Sequence, residues 1–299
     1  MSEDTHGKPI LSVDLGGTKI LATLISGGTV LERAEVLTDR NSGPEAWLAQ
    51  INDMTRPWRG QFNQAGIAVT GLVKENFWQS LNPTTLKLPA PFALHAKAEA
   101  LFGVPITLCN DAQAATWGEY EYGIGQGHDM VFLTISTGVG GGVVTAGKLL
   151  IGRGGLAGSF GQVLPLPDIS DGRFEDGASG QWIAAEAARL GHESDTRSVF
   201  AACAARAEWA DALITKSAER VARLCQNLQL MFDPHIIVVG GGIGLAPEYL
   251  NKVKHALAHL QPLFRPTLVQ GALGRDAGVI GVAALSKRAL LKSNMEKQT

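Results

Sequence analysis

The sequence predicts an α/β fold arranged as two lobes. Apolar strands alternate with helical stretches along the chain, which is the α/β pattern. A unit of strand, glycine loop and strand opens near residue 10 and returns near residue 130. The length, 299 residues, exceeds one average domain and suits two lobes of roughly 100–200 residues each.

Ile10 to Val13 reads as a strand, Ile20 to Ile25 as its antiparallel return, and Gly27-Gly28 as the turn into a third strand, Val30 to Val36. Two strands around a glycine loop form a hairpin, unlike the strand–loop–helix of a nucleoside-triphosphatase P-loop. A helix is predicted around Pro44 to Met54, a strand at Ala65 to Val69 ending in Thr70-Gly71, a helix from Ala93 to Phe102, and a strand at Val104 to Leu108. Asn110-Asp111 then opens the helix Ala112 to Tyr120. The second cycle begins with the strand Met130 to Ile135, the loop Ser136 to Gly142 and the returning Val143-Val144. A long helix near Ala212 to Phe232 feeds the strand His235 to Val239 and the turn Gly240-Gly241-Gly242. The last helix, about Ala277 to Leu291, is expected to pack back on the first lobe. The expected division is residues 1–113 with the C-terminal stretch 275–299, against residues 114–274. Such an echo indicates two lobes of one design rather than a solenoid, whose period is about 20–50 residues.

Composition narrows the function. A formal net charge of −2 argues against nucleic acid as the main partner, since backbone binding needs clustered Lys and Arg. Three cysteines, Cys109, Cys203 and Cys225, form no even framework and no Cys-x-x-Cys pair, which suggests a reducing compartment. The N-terminus lacks a signal-peptide pattern, and no uncharged apolar run reaches the ~18 residues a membrane span needs. A cytoplasmic, soluble protein is expected.

Four stretches carry chemistry. In Asp14-Leu15-Gly16-Gly17-Thr18-Lys19 the glycines let main-chain N–H groups face an anion and Thr18 adds a hydroxyl. Asp14 would repel phosphate unless a cation intervenes, and magnesium would resolve that conflict. Ser136-Thr137-Gly138-Val139-Gly140-Gly141-Gly142 is a second candidate phosphate loop, readable alone as a flexible hairpin. Gly240-Gly241-Gly242-Ile243-Gly244 follows an apolar strand and fits close approach to adenine or ribose, or tight strand–helix packing. Asn110-Asp111 lies where a strand gives way to a helix. Its carboxylate could accept a hydroxyl proton during phosphoryl transfer, and both residue types are equally good helix N-caps.

Together with Gly154-Gly155-Leu156-Ala157-Gly158 and Asp276-Ala277-Gly278-Val279-Ile280-Gly281, these ordered motifs resemble the ROK family of sugar kinases, over roughly positions 10 to 285. Asn-Asp-Ala-Gln-Ala-Ala-x-x-x-Glu-Tyr and Gly241 to Leu250 are most similar to its bacterial N-acetylmannosamine kinases. The resemblance implies a two-lobed actin-like ATPase (ribonuclease H-like) fold with an interlobe cleft, and transfer of the γ-phosphate of ATP to a hexose 6-hydroxyl. It implies that Asp111 is the general base, and that Asn110, Asn82, Gly71 and Glu175 bind sugar. Gly16, Gly17, Thr18, Thr137 and Gly138, with Lys19, would surround phosphates. Gly241 and Gly242 would hold adenosine, and Mg2+ would sit with ATP near Asp14. A homodimer is implied by analogy.

One departure stands out. The family pattern carries Gly-Glu-x-Gly-His and then cysteines that hold a structural zinc. Here the stretch is Gly158-Ser159-Phe160-Gly161-Gln162, with no cysteine between Cys109 and Cys203. Four Cys or His ligands are needed, so zinc is not expected. Ser159 and Gln162 can still hydrogen-bond hydroxyls, with changed charge and reach. N-acetylmannosamine is the expected substrate, glucose or another hexose the alternative, and a non-catalytic sugar-sensing regulator the third reading. Regulators of the family carry an extra N-terminal helix-turn-helix, for which the expected first strand near residue 10 leaves no room.

Overall fold

Strands β1 (Ile10–Leu15), β2 (Lys19–Ser26) and β3 (Thr29–Leu37) form the antiparallel half of the first sheet. The computed structural model describes residues 7–81, 86, 88, 90–164 and 172–296. After helix α1 (Pro44–Met54), strand β4 (Ala65–Val69) pairs parallel with β1. A small hairpin, β5 (Leu72–Lys74) and β6 (Phe77–Gln79), and helix α2 (Leu94–Phe102) precede β7 (Ile106–Asn110). Strand β7 pairs parallel with β4, so the sheet order is β3-β2-β1-β4-β7. Every residue of β4 is buried, as a parallel strand covered on both faces should be. The core gathers Leu11, Val13, Ile67, Trp47 and Trp78, the two indoles lying 5.7 Å apart between ring centroids.

Helix α3 (Asp111–Glu121) and the C-terminal helix, Ala277–Glu296, pack against each other and beside this sheet. Their crossing is close: a Cβ on Gly118 would lie 2.4 Å from the Ala277 carbonyl oxygen, and one on Gly281 would lie 1.7 Å from that of Ala114. Only glycine admits such backbone approach. Ser12 on β1 donates its hydroxyl to the Val279 carbonyl, and Ser286 donates to Gln64. By its contacts the chain divides into two compact units, the first comprising residues 1–122, 151–156 and 276–299. The expected division after residue 113 falls inside α3, whose partner is the C-terminal helix.

The second unit repeats the design. Strands β8 (Met130–Ile135), β9 (Val139–Thr145) and β10 (Lys148–Leu149) are antiparallel, and β11 (Ile236–Gly240) and β12 (Leu268–Gln270) continue parallel to β8, in the order β10-β9-β8-β11-β12. Gly140, Gly141 and Gly142, expected in a loop, are strand residues paired with Thr134, Leu133 and Phe132. Glycines carry no apolar alternation, so only pairing with β8 defines them as strand. Around this sheet lie α4 (Glu175–Ala178), α5 (Gly180–Arg189), α6 (Thr196–Ala204), α7 (Glu208–Phe232), α8 (Gly241–Gly244) and α9 (Tyr249–Ala256). Helix α7 begins at Glu208, earlier than expected, and its buried stripe of Leu213, Ile214, Val221, Leu224 and Leu228 meets the core. Among the described residues no helix is long and apolar enough to cross a membrane.

Candidate active site

In the first unit the parallel strands deliver two carboxylates at their C-terminal ends. Register pairs Asp14 with Ala68 and Val69 with Asn110, so Asp14 and the Asn110-Asp111 corner lie along one edge of the sheet. Ligands gather at this edge in α/β sheets. Asn110 does two things at once. Its Oδ1 accepts from the Gln113 N–H at 3.0 Å and caps α3, while its Nδ2 donates to the Gly71 carbonyl at 2.8 Å and to Asp111 Oδ1 at 2.9 Å. The capping and binding readings of this residue are therefore compatible. Asp111 Oδ1 also accepts from the Ala112 N–H at 2.8 Å. Gln113 Nε2 donates to the Gly155 carbonyl at 3.2 Å, drawing the Gly154-Gly155 motif to the same corner.

The electrostatics of this corner are strained. Burial pushes the Asp111 carboxyl up to about 6, opposed by the hydrogen bonds from Ala112 and Asn110 that favour its charged form. Burial and then the neighbouring charge of Asp111 push Asp14 up to about 7, with Lys19 pulling the other way. Gly278 closes the corner: a Cβ there would lie 3.6 Å from Asp14 Oδ2.

The loop between β1 and β2 is a tight hairpin in which the Gly16 N–H donates to the Lys19 carbonyl at 3.1 Å. Lys19 does not turn its ammonium into the loop; it pairs with Glu35 on β3 at 2.9 Å. The cation at the loop is Arg40, whose Nε donates to the Gly17 carbonyl and whose Nη2 donates to the Thr18 hydroxyl at 3.3 Å. Thr38 donates its hydroxyl to the Gly16 carbonyl at 2.8 Å. No local pattern singles out Arg40, because it reaches the loop from just beyond the end of β3, which pairing places alongside. Asn82 lies outside the described residues.

In the second unit the Ser136–Gly138 turn is tied to the start of α5. The Ser136 N–H donates to the Gly138 carbonyl at 2.9 Å, Gly180 N–H to Ser136 at 2.8 Å, and Gln181 N–H to Thr137 at 3.2 Å. Glu175 is buried beside this turn. Its Oε2 accepts from the Val139 N–H at 3.3 Å, and its Oε1 accepts from Gln162 Nε2 at 2.8 Å. Arg173, which no sequence motif marks, meets Glu175 Oε1 at 3.0 Å. Ser159 precedes the turn Phe160–Gln162 and is partly exposed. Gly241 and Gly242 open α8 directly beyond β11. Thus Glu175, Gln162, Thr137 and Gly138 come together in this unit.

Among the described residues no group of three or more His, Cys, Asp or Glu is placed to hold a metal ion. Cys109 and Cys225 are buried, in different units, and burial pushes both thiols up to about 12. Cys203 lies beside Asp211 at 3.5 Å.

Known proteins resemble this chain in sequence and in fold. The chain is 45% identical over 278 residues to the bifunctional enzyme NanE/NanK of Brucella melitensis, covering 93% of this chain and 54% of that one. The chain thus spans about half the length of that relative. It is 39% identical to the N-acetylmannosamine kinase of Shigella flexneri, covering 93% of this chain and 98% of the other. Among solved structures, a ROK family glucokinase from Streptomyces griseus, in complex with glucose and AMPPNP, superposes with a TM-score of 0.80 at 28% identity, covering 94% of this chain and 99% of that one. The fold is that of the two-lobed, actin-like ROK kinases. The pattern of the ROK family matches residues 10–289, and the chain belongs to the ROK family.

Proposed function

We propose that this protein is an ATP-dependent sugar kinase that transfers the γ-phosphoryl group to the 6-hydroxyl of N-acetylmannosamine, giving N-acetylmannosamine 6-phosphate and ADP. The observation that carries the reading is the Asn110-Asp111 corner: a carboxylate at a sheet's C-terminal edge, oriented by Asn110 Nδ2 and the Ala112 N–H. With its pKa at about 6, Asp111 is charged at neutral pH yet still basic enough to accept a hydroxyl proton. As the sugar oxygen bonds to the γ-phosphorus, the bond to the β–γ bridging oxygen breaks and the sugar's proton passes to Asp111. The names of the relatives, N-acetylmannosamine kinase foremost, support the choice of sugar.

The residues present fit MgATP as the second substrate. Asp14 is a hard oxygen donor, and burial and Asp111 make its charge unfavourable unless a cation lies near. Gly16, Gly17 and Thr18, with Thr137 and Gly138, hold phosphates. Arg40, at the same loop, adds a second cationic group to Lys19. Gly241 and Gly242 hold the adenosine. Gly71, Asn110, Glu175, Ser159 and Gln162 contact the sugar, and Asn82 joins them. The protein works in the cytoplasm as a homodimer, which light scattering on the purified chain would check.

Glucose is the second reading, supported by the glucokinase whose structure contains it. Coupled ATP-consumption assays over N-acetylmannosamine, N-acetylglucosamine, glucose, mannose, fructose and allose test both. The expected outcome is the highest kcat/KM for N-acetylmannosamine. Turnover of glucose at higher efficiency would replace the substrate, and binding of sugar without turnover of any would overturn the kinase.

A further inference from the structure

The turn Phe160–Gln162 with Val163 is fastened to the residues that open helix α4. The Phe174 N–H donates to the Val163 carbonyl at 3.0 Å. Gln162 Nε2 donates to Glu175 Oε1 at 2.8 Å. Arg173 spans the rest: Nη1 meets Glu175 Oε1 at 3.0 Å and approaches Gln162 Oε1 at 3.5 Å, while Nε and Nη2 fork onto the Asp176 carboxylate at 3.0 and 2.8 Å. The Arg173 N–H adds a bond to Asp176 Oδ2 at 2.9 Å.

This is the stretch in which the family pattern places its zinc ligands, and the donors here do not fit the metal. Gln162 stands where the pattern has histidine, no cysteine comes after it before Cys203, and a guanidinium has no lone pair to offer. Tying Gln162 to the residues that open α4 is within reach of a guanidinium. Its five N–H donors in a rigid fork serve two carboxylates at once, which a lysine ammonium matches poorly. The carboxylate of Glu175 is buried, and a buried charge needs compensation by partners such as these. Its other oxygen receives the Val139 N–H, at the edge of the Ser136–Gly138 turn, so its placement is coupled to that turn. A Cβ on Gly161 would lie 2.2 Å from the Val139 carbonyl and 3.0 Å from Glu175 Oε2, which leaves no room for a different packing.

We infer that Arg173, with Gln162 and Asp176, replaces the zinc of the family as a metal-free clip, and that Arg173 is the positioning residue that presents Glu175 to the sugar. The last clause rests on the kinase reading; the clip itself does not.

The test uses the full chain, its Arg173→Gln and Arg173→Lys variants, zinc analysis, hydrogen exchange and steady-state kinetics. In the wild type, zinc is expected far below one per chain, and a zinc chelator leaves activity unchanged. Arg173→Gln should speed amide exchange in a peptide covering residues 172–180 by about tenfold or more, since these ties loosen. It should raise KM for the sugar by about tenfold while KM for ATP stays within about twofold, a split that general destabilisation would not produce. Arg173→Lys should recover part of both effects and stands in if Arg173→Gln does not fold. Stoichiometric zinc, or exchange and sugar KM unchanged in Arg173→Gln, overturns the clip. A wild type that phosphorylates no hexose overturns the kinase reading alone, and exchange and zinc content still decide the clip.

Discussion

Asp111 and Asp14 are neighbouring carboxylates under different demands. Asp111 is held by Asn110 and Ala112, so Asp111→Asn keeps the local shape and removes the proposed base. Its kcat is expected to fall by about 10²–10⁴-fold with ATP binding retained, the usual worth of a general base. Near-normal kcat in steady-state assays would displace Asp111 from that role. Because its pKa is about 6, the wild-type kcat/KM should decline about tenfold per pH unit once the pH drops below that value, as the base takes up a proton. For Asp14 the same physics acts on stability. Its folded pKa, about 7, is above the unfolded value, so the folded state binds more protons between roughly pH 4 and 7 and loses stability as pH rises through that window. Asp14→Asn should therefore melt higher than the wild type at pH 8, with the gap narrowing towards pH 4, and should be inactive. A thermal shift series across pH would decide; a lower melting temperature at pH 8 would contradict the electrostatic account. At this scale the sequence makes Asp14, Asn110 and Asp111 legible, since their residue types stand at strand ends. The turn of Lys19 towards Glu35, and the arrival of Arg40 at the loop, are not legible, because each depends on which strand lies alongside.

Elements differ in how much of themselves they declare. Strands β1, β4, β8 and β11 are nearly unbroken apolar runs, and the sequence locates each within a residue or two. The hairpin β5–β6 gives no such signal: its turn is Glu75-Asn76, both at positive φ (50° and 69°), rather than the Asn-Gly that advertises such a turn. Strand β9 looks half loop in the sequence for want of side chains. Helix α3 shows little amphipathic signal because residues 112–119 are all buried, flanked by strand and helix. That crossing yields a test. Gly281→Ala places a methyl against the Ala114 carbonyl and should destabilise by about 1–3 kcal/mol, the usual cost of overpacking. Urea denaturation would register it as a lower midpoint with an unchanged slope. A neutral result would mean that the two helices part easily.

At the scale of the whole molecule, the same strand order is built twice, three antiparallel strands followed by two parallel ones. The repeated strand, glycine loop and strand announce this in the sequence, since alternation and glycine punctuation are local properties. The order of motifs likewise determined the family, and with it the expected chemistry. The tertiary structure alone decided which charges meet across the chain: Lys19 with Glu35 and Arg33 with Asp276. It also decided that the C-terminal helix, more than 150 residues beyond α3, is that helix's closest companion. The physical reason is range. Propensity, periodicity and turn chemistry act over a few residues and can be read along the chain. A salt bridge or a glycine-to-carbonyl contact is set by register and packing between distant segments, and exists only once the sheets have formed.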